Sequence, residues 1–161
     1  PGMTRGLLTW LGLSGSLTTN VGGAFTQTAL DNALDDIRQS GGSPTAIVMS
    51  VANKRVFNSF TSADQINQDV NERVAGRIVE FYLADGFGGI PVIVDIDMPD
   101  DKIAIVDSRK MQKGWKINDQ LSFSPRTDVN PRERKELLHG KFGLAVENIG
   151  TSHHLLTGIT T

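Results

Sequence analysis

Ile37-Arg38-Gln39-Ser40-Gly41-Gly42-Ser43-Pro44-Thr45-Ala46-Ile47-Val48-Met49-Ser50 holds a helix end, a turn, a strand and a second helix start in one short run. Upstream of it, Leu30, Ala33, Leu34 and Ile37 fall at i, i+3, i+4 and i+7, the spacing of one apolar helical stripe. Thr26 stands where an N-cap is needed, and Asp31, Asp35 and Asp36 lie off the stripe. Gly41 and Gly42 supply the stop, because glycine takes the left-handed conformation past a last helical turn without a Cβ clash. Pro44 then breaks the chain, and Ala46–Met49 reads as a short strand buried on both faces. Ser50 predicts the cap of a second helix with Val51, Phe57 and Phe60 inward and Asn53, Lys54 and Arg55 outward. Helix, strand and helix in close succession predict an α/β or α+β core.

On the N-terminal side, residues 11–26 gather Gly12, Ser14, Gly15, Ser16, Thr18, Thr19, Asn20, Gly22 and Gly23, and predict a flexible surface loop. The opening residues from Pro1 show no helix cap and no periodicity, which suggests a chain entered midway. On the C-terminal side, residues 62–73 are polar without a period. Residues 74–83 alternate as a strand, Gly86-Phe87-Gly88-Gly89 turns the chain, and Ile90–Met98 returns. Pro99-Asp100-Asp101-Lys102 is a turn and Ile103–Val106 a third strand, so the three together predict a β-meander. Met111–Phe123 alternates loosely, with Trp115, Ile117, Leu121 and Phe123 on one parity. Ser124–Arg134 is a polar turn region, and two more strands are expected over Lys135–Ile149 and His153–Ile159. Gly140 and Gly143 fit bulges or a close approach.

Composition narrows the function classes. The chain has 161 residues, 39% hydrophobic and 21% charged, which fits a folded domain and not a disordered segment. A formal net charge of −2 gives no basic field for wrapping nucleic acid. There is no cysteine, so disulfides, zinc-thiolate sites and thiol nucleophiles are excluded. No apolar run approaches the roughly 20 residues of a membrane span.

Four patterns invite chemistry. Gly86, Gly88 and Gly89 could cradle a phosphate, but such a loop must open a helix, and a strand follows here. Asp95, Asp97, Asp100, Asp101 and Asp107 form an acidic group. Asp95 and Asp97 are expected on one strand face, without the spacing of a calcium loop. His153 and His154 are adjacent, so on a strand they point to opposite faces and cannot chelate one ion. With His139 as the only other histidine, solvent or interface positions are expected for the pair. Ser14, in Gly12-Leu13-Ser14-Gly15-Ser16, lacks the strand and spacing of a nucleophile elbow. The expected site list is therefore empty: no catalytic, cofactor-binding or metal residue, and no cofactor. Arg126, Arg132, Arg134 and Lys135 mix with Asp128, Glu133 and Glu136, a pattern suited to solvated loops or subunit contacts.

The quoted run resembles the helix–GG–P–strand segment of the SU-ten-like major capsid proteins of tailed phages, which have the Hong Kong 97-type fold. The helix Asn53–Thr61, then Val79–Gly88, Ile90–Val94, Met98-Pro99, Ile103–Asp107, Leu144–Asn148 and Gly158-Ile159 match in the same order. The resemblance spans about residues 5–160 and rests on that order, with no single diagnostic motif. In the family, an N-terminal arm, an extended hairpin loop and a long spine helix precede this region. The resemblance thus implies the later part of such a subunit: an opening segment and loop over 1–25, an axial-type domain over 26–108, and returning strands of a peripheral-type domain over 109–161. Residues 62–73 and 84–90 would lie near the axial tips, where symmetry-related copies meet.

The implied function is non-enzymatic. The subunit self-assembles, as pentamers and hexamers, into the icosahedral head enclosing phage double-stranded DNA, without sequence-specific contact and with no membrane. Decoration and portal proteins are implied partners, the virion is the implied location, and assembly takes place in the bacterial host cytoplasm. Two rivals stand beside this reading: an encapsulin-like shell around cargo enzymes, and a small carboxylate-dependent hydrolase using Asp95 and Asp97.

Overall fold

In a computed structural model of the chain, residues 6–60, 65–66, 80–84, 86–115, 122–126, 135–139 and 141–160 have a described conformation. Helix α2 (Gln27–Gln39) begins at Thr26, whose Oγ1 accepts the Ala29 N–H at 3.3 Å. Its stripe of Leu30, Ala33, Leu34 and Ile37 is buried as the spacing predicts. Burial of each large member contributes about 2 kcal/mol.

The helix closes in a Schellman motif. Gly41 sits at φ 76°, its N–H donates to Arg38 O at 3.0 Å, and the Gly42 N–H donates to Ile37 O at 2.9 Å. The two glycines have different tasks. Gly41 supplies the left-handed conformation, whereas Gly42 supplies space. A Cβ on Gly42 would overlap the Thr151 carbonyl oxygen and lie 2.7 Å from Ile37 Cγ2. The Thr45 N–H then donates to Val106 O at 2.8 Å as the chain enters β2 (Ala46–Met49).

Helix α3 (Val51–Phe57) follows, with Ser50 Oγ accepting the Asn53 N–H at 3.3 Å as the predicted cap. Two side chains of α3 reverse the expectation. Val51 is 42% exposed and Asn53 is fully buried. Asn53 turns inward because its Nδ2 reaches two backbone carbonyls, Asp100 O at 2.8 Å and Lys102 O at 3.4 Å. Phe57 and Phe60 do face inward, with ring centroids 5.6 Å apart.

The remaining strands are β1 (Leu17–Ala24), β3 (Gln65–Ile66), β4 (Glu80–Ala84), β5 (Gly88–Val94), β6 (Ile103–Val106), β7 (Met111–Trp115), β8 (Ser122–Arg126), β9 (Lys135–His139), β10 (Phe142–Val146) and β11 (His154–Thr160). Seven form one sheet in the order β1-β11-β6-β2-β5-β4-β3. Strands β7 and β10 make one antiparallel pair, and β8 and β9 another.

The expected meander is corrected. β4 and β5 form a hairpin, but β2 inserts between β5 and β6, parallel to the former and antiparallel to the latter. All four residues of β6 are buried, and β2 is nearly so. Strands apolar on both faces need central places in a covered sheet, so these two pair with each other. Ile47, Met49, Ile103 and Ile105 pack with α2 and α3 on one face. Ala46, Ala104, Val106 and Leu155 pack with Leu11 and Met98 on the other. Leu11 belongs to a short helix α1 (Leu7–Leu11), where no periodicity was expected.

The flexible loop expected over 11–26 is also corrected. Residues 17–24 are edge strand β1, running parallel to β11. An edge strand with only intermediate and exposed positions needs no apolar face, so polar residues conceal it. Gly22 (φ 62°) and Gly23 serve a register shift after Asn20, whose Oδ1 accepts the Gly22 N–H at 3.1 Å. The single strand expected over 135–149 is two, β9 and β10, because each pairs with a different partner. β5 stops at Val94, short of the expected Met98. The strand positions expected over 74–79 and most of the polar stretch 62–73 lie outside the described residues. So do residues 127–134, residues 116–121 with Ile117 and Leu121, and Gly140.

The packing predicts contrasting glycine substitutions. Gly42→Ala should lower stability by about 1–3 kcal/mol, since neither the Thr151 backbone nor Ile37 can withdraw. Gly23→Ala, with open space around it, should stay within about 0.5 kcal/mol. Urea unfolding midpoints of the two variants check this.

Candidate functional site

The sequence candidates do not converge. Gly86 and Gly88 take φ 87° and 73° in the β4–β5 turn, where the Phe87 N–H donates to Ala84 O at 3.1 Å. Strand β5 follows them, as expected. Asp95 and Asp97 do not share a strand face. They lie in the turn after β5, and Asp95 Oδ1 accepts the Asp97 N–H at 3.0 Å. That carboxylate therefore closes the turn locally. Ser14 is exposed beside α1, and Asp100 and Asp101 are exposed before β6. Among the described residues, no group of three or more His, Asp or Glu side chains could hold a metal ion.

The histidine pair is where the structure departs most from expectation. His153 and His154 are both buried, at 0% and 1% exposure, not at solvent or interface positions. Burial is tolerated because the rings find partners. His153 Nδ1 accepts the Asp107 N–H at 3.1 Å, and Nε2 lies 3.0 Å from Glu147 O. The first bond places the proton on Nε2, which donates to Glu147. His154 Nε2 lies 3.2 Å from Asp36 Oδ2 and 3.3 Å from Thr19 Oγ1, tying β11 to α2 and β1. Its buried Nδ1 has no partner among the described residues. His139 lies on β9, with its side chain outside the described ones, as are those of Trp115, Phe123, Arg126, Lys135 and Glu136.

Around His153 the two chain crossings between the main sheet and the β7–β10 pair come together. β6 leaves through Asp107 and a single 3-10 turn, Ser108–Lys110, into β7. β10 returns through Glu147 into β11. The Glu147 N–H donates to Lys110 O at 2.9 Å, joining the crossings directly. Asp107 Oδ1 accepts Arg109 N–H at 3.1 Å and Nε at 2.8 Å, while Arg109 Nη2 donates to Ser43 O at 2.8 Å. Thr45 Oγ1 accepts the Ser108 N–H at 2.8 Å. Ser43, Thr45 and Ser108 carry no sequence signal, and for Arg109 the one usable signal is its i+2 spacing from Asp107, which allows a local ion pair.

The electrostatics follow from this wiring. Burial pushes the Asp107 carboxyl up. The Arg109 side-chain hydrogen bond, the Arg109 backbone N–H and the nearby positive charge outweigh it and hold Asp107 below the usual carboxylate range. Burial lowers His153 below its ordinary value, and the Glu147 carbonyl and Asp107 charge recover only part. Burial likewise lowers His154 against Asp36, whose half-exposed carboxylate is screened by solvent. Both ring nitrogens of His153 are engaged by the backbone, so the ring has no free lone pair to accept a substrate proton. The Asp107 carboxylate is held by Arg109. Chemically this is a clasp between two β units, not an acid–base pair.

A pH dependence follows. The folded-state pKa of His153 lies below its ordinary 6.5, so below that pH the unfolded chain binds more protons. Stability should be full above about pH 6.5 and fall as pH drops toward the folded value. His153→Leu should cost about 2 kcal/mol or more at pH 7.5, by leaving Asp107 N–H and Glu147 O without partners. It should also reduce the loss between pH 7 and 5, leaving the part that the buried His154 contributes. Urea unfolding at several pH values measures both.

Comparisons with known proteins bear on fold and on family. The chain is similar in fold to a chain of the cyanophage A-1(L) capsid asymmetric unit, with TM-score 0.56 and 16% identity over 91% of this chain and 52% of that one. It is also similar to a virus-like particle from Pyrococcus furiosus, with TM-score 0.51 and 14% identity over 93% of this chain and 58% of that one. It thus spans little more than half the length of either. No curated protein sequence matches it. The model of one family, the SU10 major capsid protein, matches residues 1–160. That match covers nearly the whole chain, and the chain belongs to the SU10 major capsid protein family, a structural and not an enzymatic family.

Proposed function

We propose that the chain is the later part of the major shell subunit of a tailed-phage head, which self-assembles into an icosahedral capsid around double-stranded DNA. The family match over residues 1–160 carries this reading. The fold likeness to a phage capsid chain supports it. In this reading the subunit has the Hong Kong 97-type fold and is arranged as pentamers and hexamers. Portal and decoration proteins join the same particle, which assembles in the host cytoplasm.

The axial-type unit then consists of the seven-stranded sheet with α2 and α3. Membership of β1 and β11 in that sheet supports drawing both into the axial unit. The β7–β10 pair, with β8 and β9 between them in sequence, corresponds to the peripheral-type strands. The hydrolase reading has lost its premise, since Asp95 and Asp97 shape a turn in a chain of a structural family.

The contents of the particle test the proposal. Particles purified from infected cells should protect double-stranded DNA from nuclease, with this chain as the main protein. Particles holding only protein cargo would instead favour the encapsulin-like shell.

A further inference from the structure

Strand β1 is anchored at its two ends and weakly held between them. The Leu17 N–H donates to Ile149 O at 3.4 Å at one end. Phe25, just past the other end, is buried in the main core. Between these anchors no residue of β1 is buried, and only Leu17 and Val21 pack on the rim of the core. The ladder to β11 breaks after Asn20 and resumes at Gly23. Among the described residues, the side-chain bond that ties this stretch to the interior runs from Thr19 Oγ1 to His154 Nε2, at 3.3 Å.

His154 is built to be neutral. Its ring is 1% exposed, and Nε2 lies between Thr19 Oγ1 and Asp36 Oδ2, the latter at 3.2 Å. A carboxylate only accepts, so the neutral ring carries its proton on Nε2 and shares it between the two oxygens. Nδ1 is then a buried lone pair without a partner among the described residues. A second proton would go to Nδ1, and the new N–H would face protein that offers it no acceptor. Asp36 favours the charged ring from the Nε2 side, but its half-exposed carboxylate is screened by solvent. Burial is the larger effect and lowers the ring's affinity for a proton. The other elements packed on β11 add no charge, since β1, β6 and α1 contain no ionisable side chain. On α2, Asp35 and Arg38 pair with each other at 2.7 Å, and Asp31 accepts from Tyr82. His153, the next residue, is engaged in the clasp.

We propose that β1 is a strap that opens in acid, with the buried His154 ring as its catch. Lifting β1 lets water reach the ring and gives a protonated Nδ1 its acceptor. The open form then binds a proton with the ordinary affinity of histidine, near pH 6.5, whereas the closed form binds it only at lower pH. Closure is therefore fully favoured above about pH 6.5. Below it the open population grows by up to about tenfold per pH unit, until the closed ring itself protonates. Opening bares the backbone N–H and C=O groups along one side of β11, a template on which another strand can pair. His154 thus acts on one edge strand, unlike His153, whose bonds join two parts of the fold.

Amide hydrogen exchange of the full-length polypeptide, read segment by segment by mass spectrometry, tests the catch. After correction for the intrinsic pH dependence of exchange, β1 should open about tenfold or more often at about pH 5 than at about pH 7.5. The β6 amides should stay protected at both, which marks a local opening and not unfolding. His154→Gln keeps an amide N–H for Asp36 and Thr19 but does not titrate, so its β1 should open equally at the two pH values. A parent β1 whose corrected exchange ignores pH would overturn the proposal, whether or not the variant folds. So would β1 and β6 opening only together, or a folded His154→Gln variant that keeps the parent's pH dependence.

Discussion

Burial of Ile103, Ala104, Ile105 and Val106 on both faces of β6 is the constraint about which the molecule is arranged. A strand with no polar face cannot sit at an edge, so it takes antiparallel neighbours on both sides, β11 and β2. Its even and odd residues join different cores: the larger one beneath α2 and α3, and a smaller one closed by α1 and Met98. Because the strand is only four residues long, events at its two ends stay about 10 Å apart. One end carries the turn that follows β5 and the other the clasp to the β7–β10 pair.

The clasp shows how a structural protein uses groups that elsewhere signal catalysis. A buried histidine and aspartate near an arginine would suit an active site if a nucleophile faced them. Here each ring nitrogen of His153 binds a backbone group from a different chain crossing. Asp107 is held by Arg109, which also reaches Ser43 just beyond α2. Polar burial at this junction fixes the direction in which the β7–β10 pair leaves the sheet. Hydrogen bonds are directional where apolar contacts are not, so the clasp sets an angle as well as a distance. A shell of repeated subunits depends on such angles, since small errors accumulate around a closed surface.

Local chemistry made much of the fold legible. Thr26, the Leu30–Ile37 stripe, the Gly41–Gly42 stop, the Ala46–Met49 strand and the Ser50 cap all depend on neighbours within a few residues. Their reading needed no tertiary knowledge. Elements defined by a distant partner were not legible. β1 looked like a loop because its strand character comes from pairing with β11, more than a hundred residues away. The insertion of β2 between β5 and β6 is likewise a non-local choice. Asn53 and the histidines were misplaced outward because polarity suggests exposure, while burial depends on carbonyls supplied by other elements. Family membership, by contrast, was carried by the order of several moderate matches, which survives even where single strands are misassigned.

In the proposed reading these parts serve a repeating shell. Cryo-electron microscopy of the purified full-length polypeptide tests that most directly. Closed icosahedral particles are predicted, with the seven-stranded sheet of this chain fitting every subunit and β6 at its centre. Only dispersed monomers under all assembly conditions, or subunits into which this sheet cannot be placed, would contradict it.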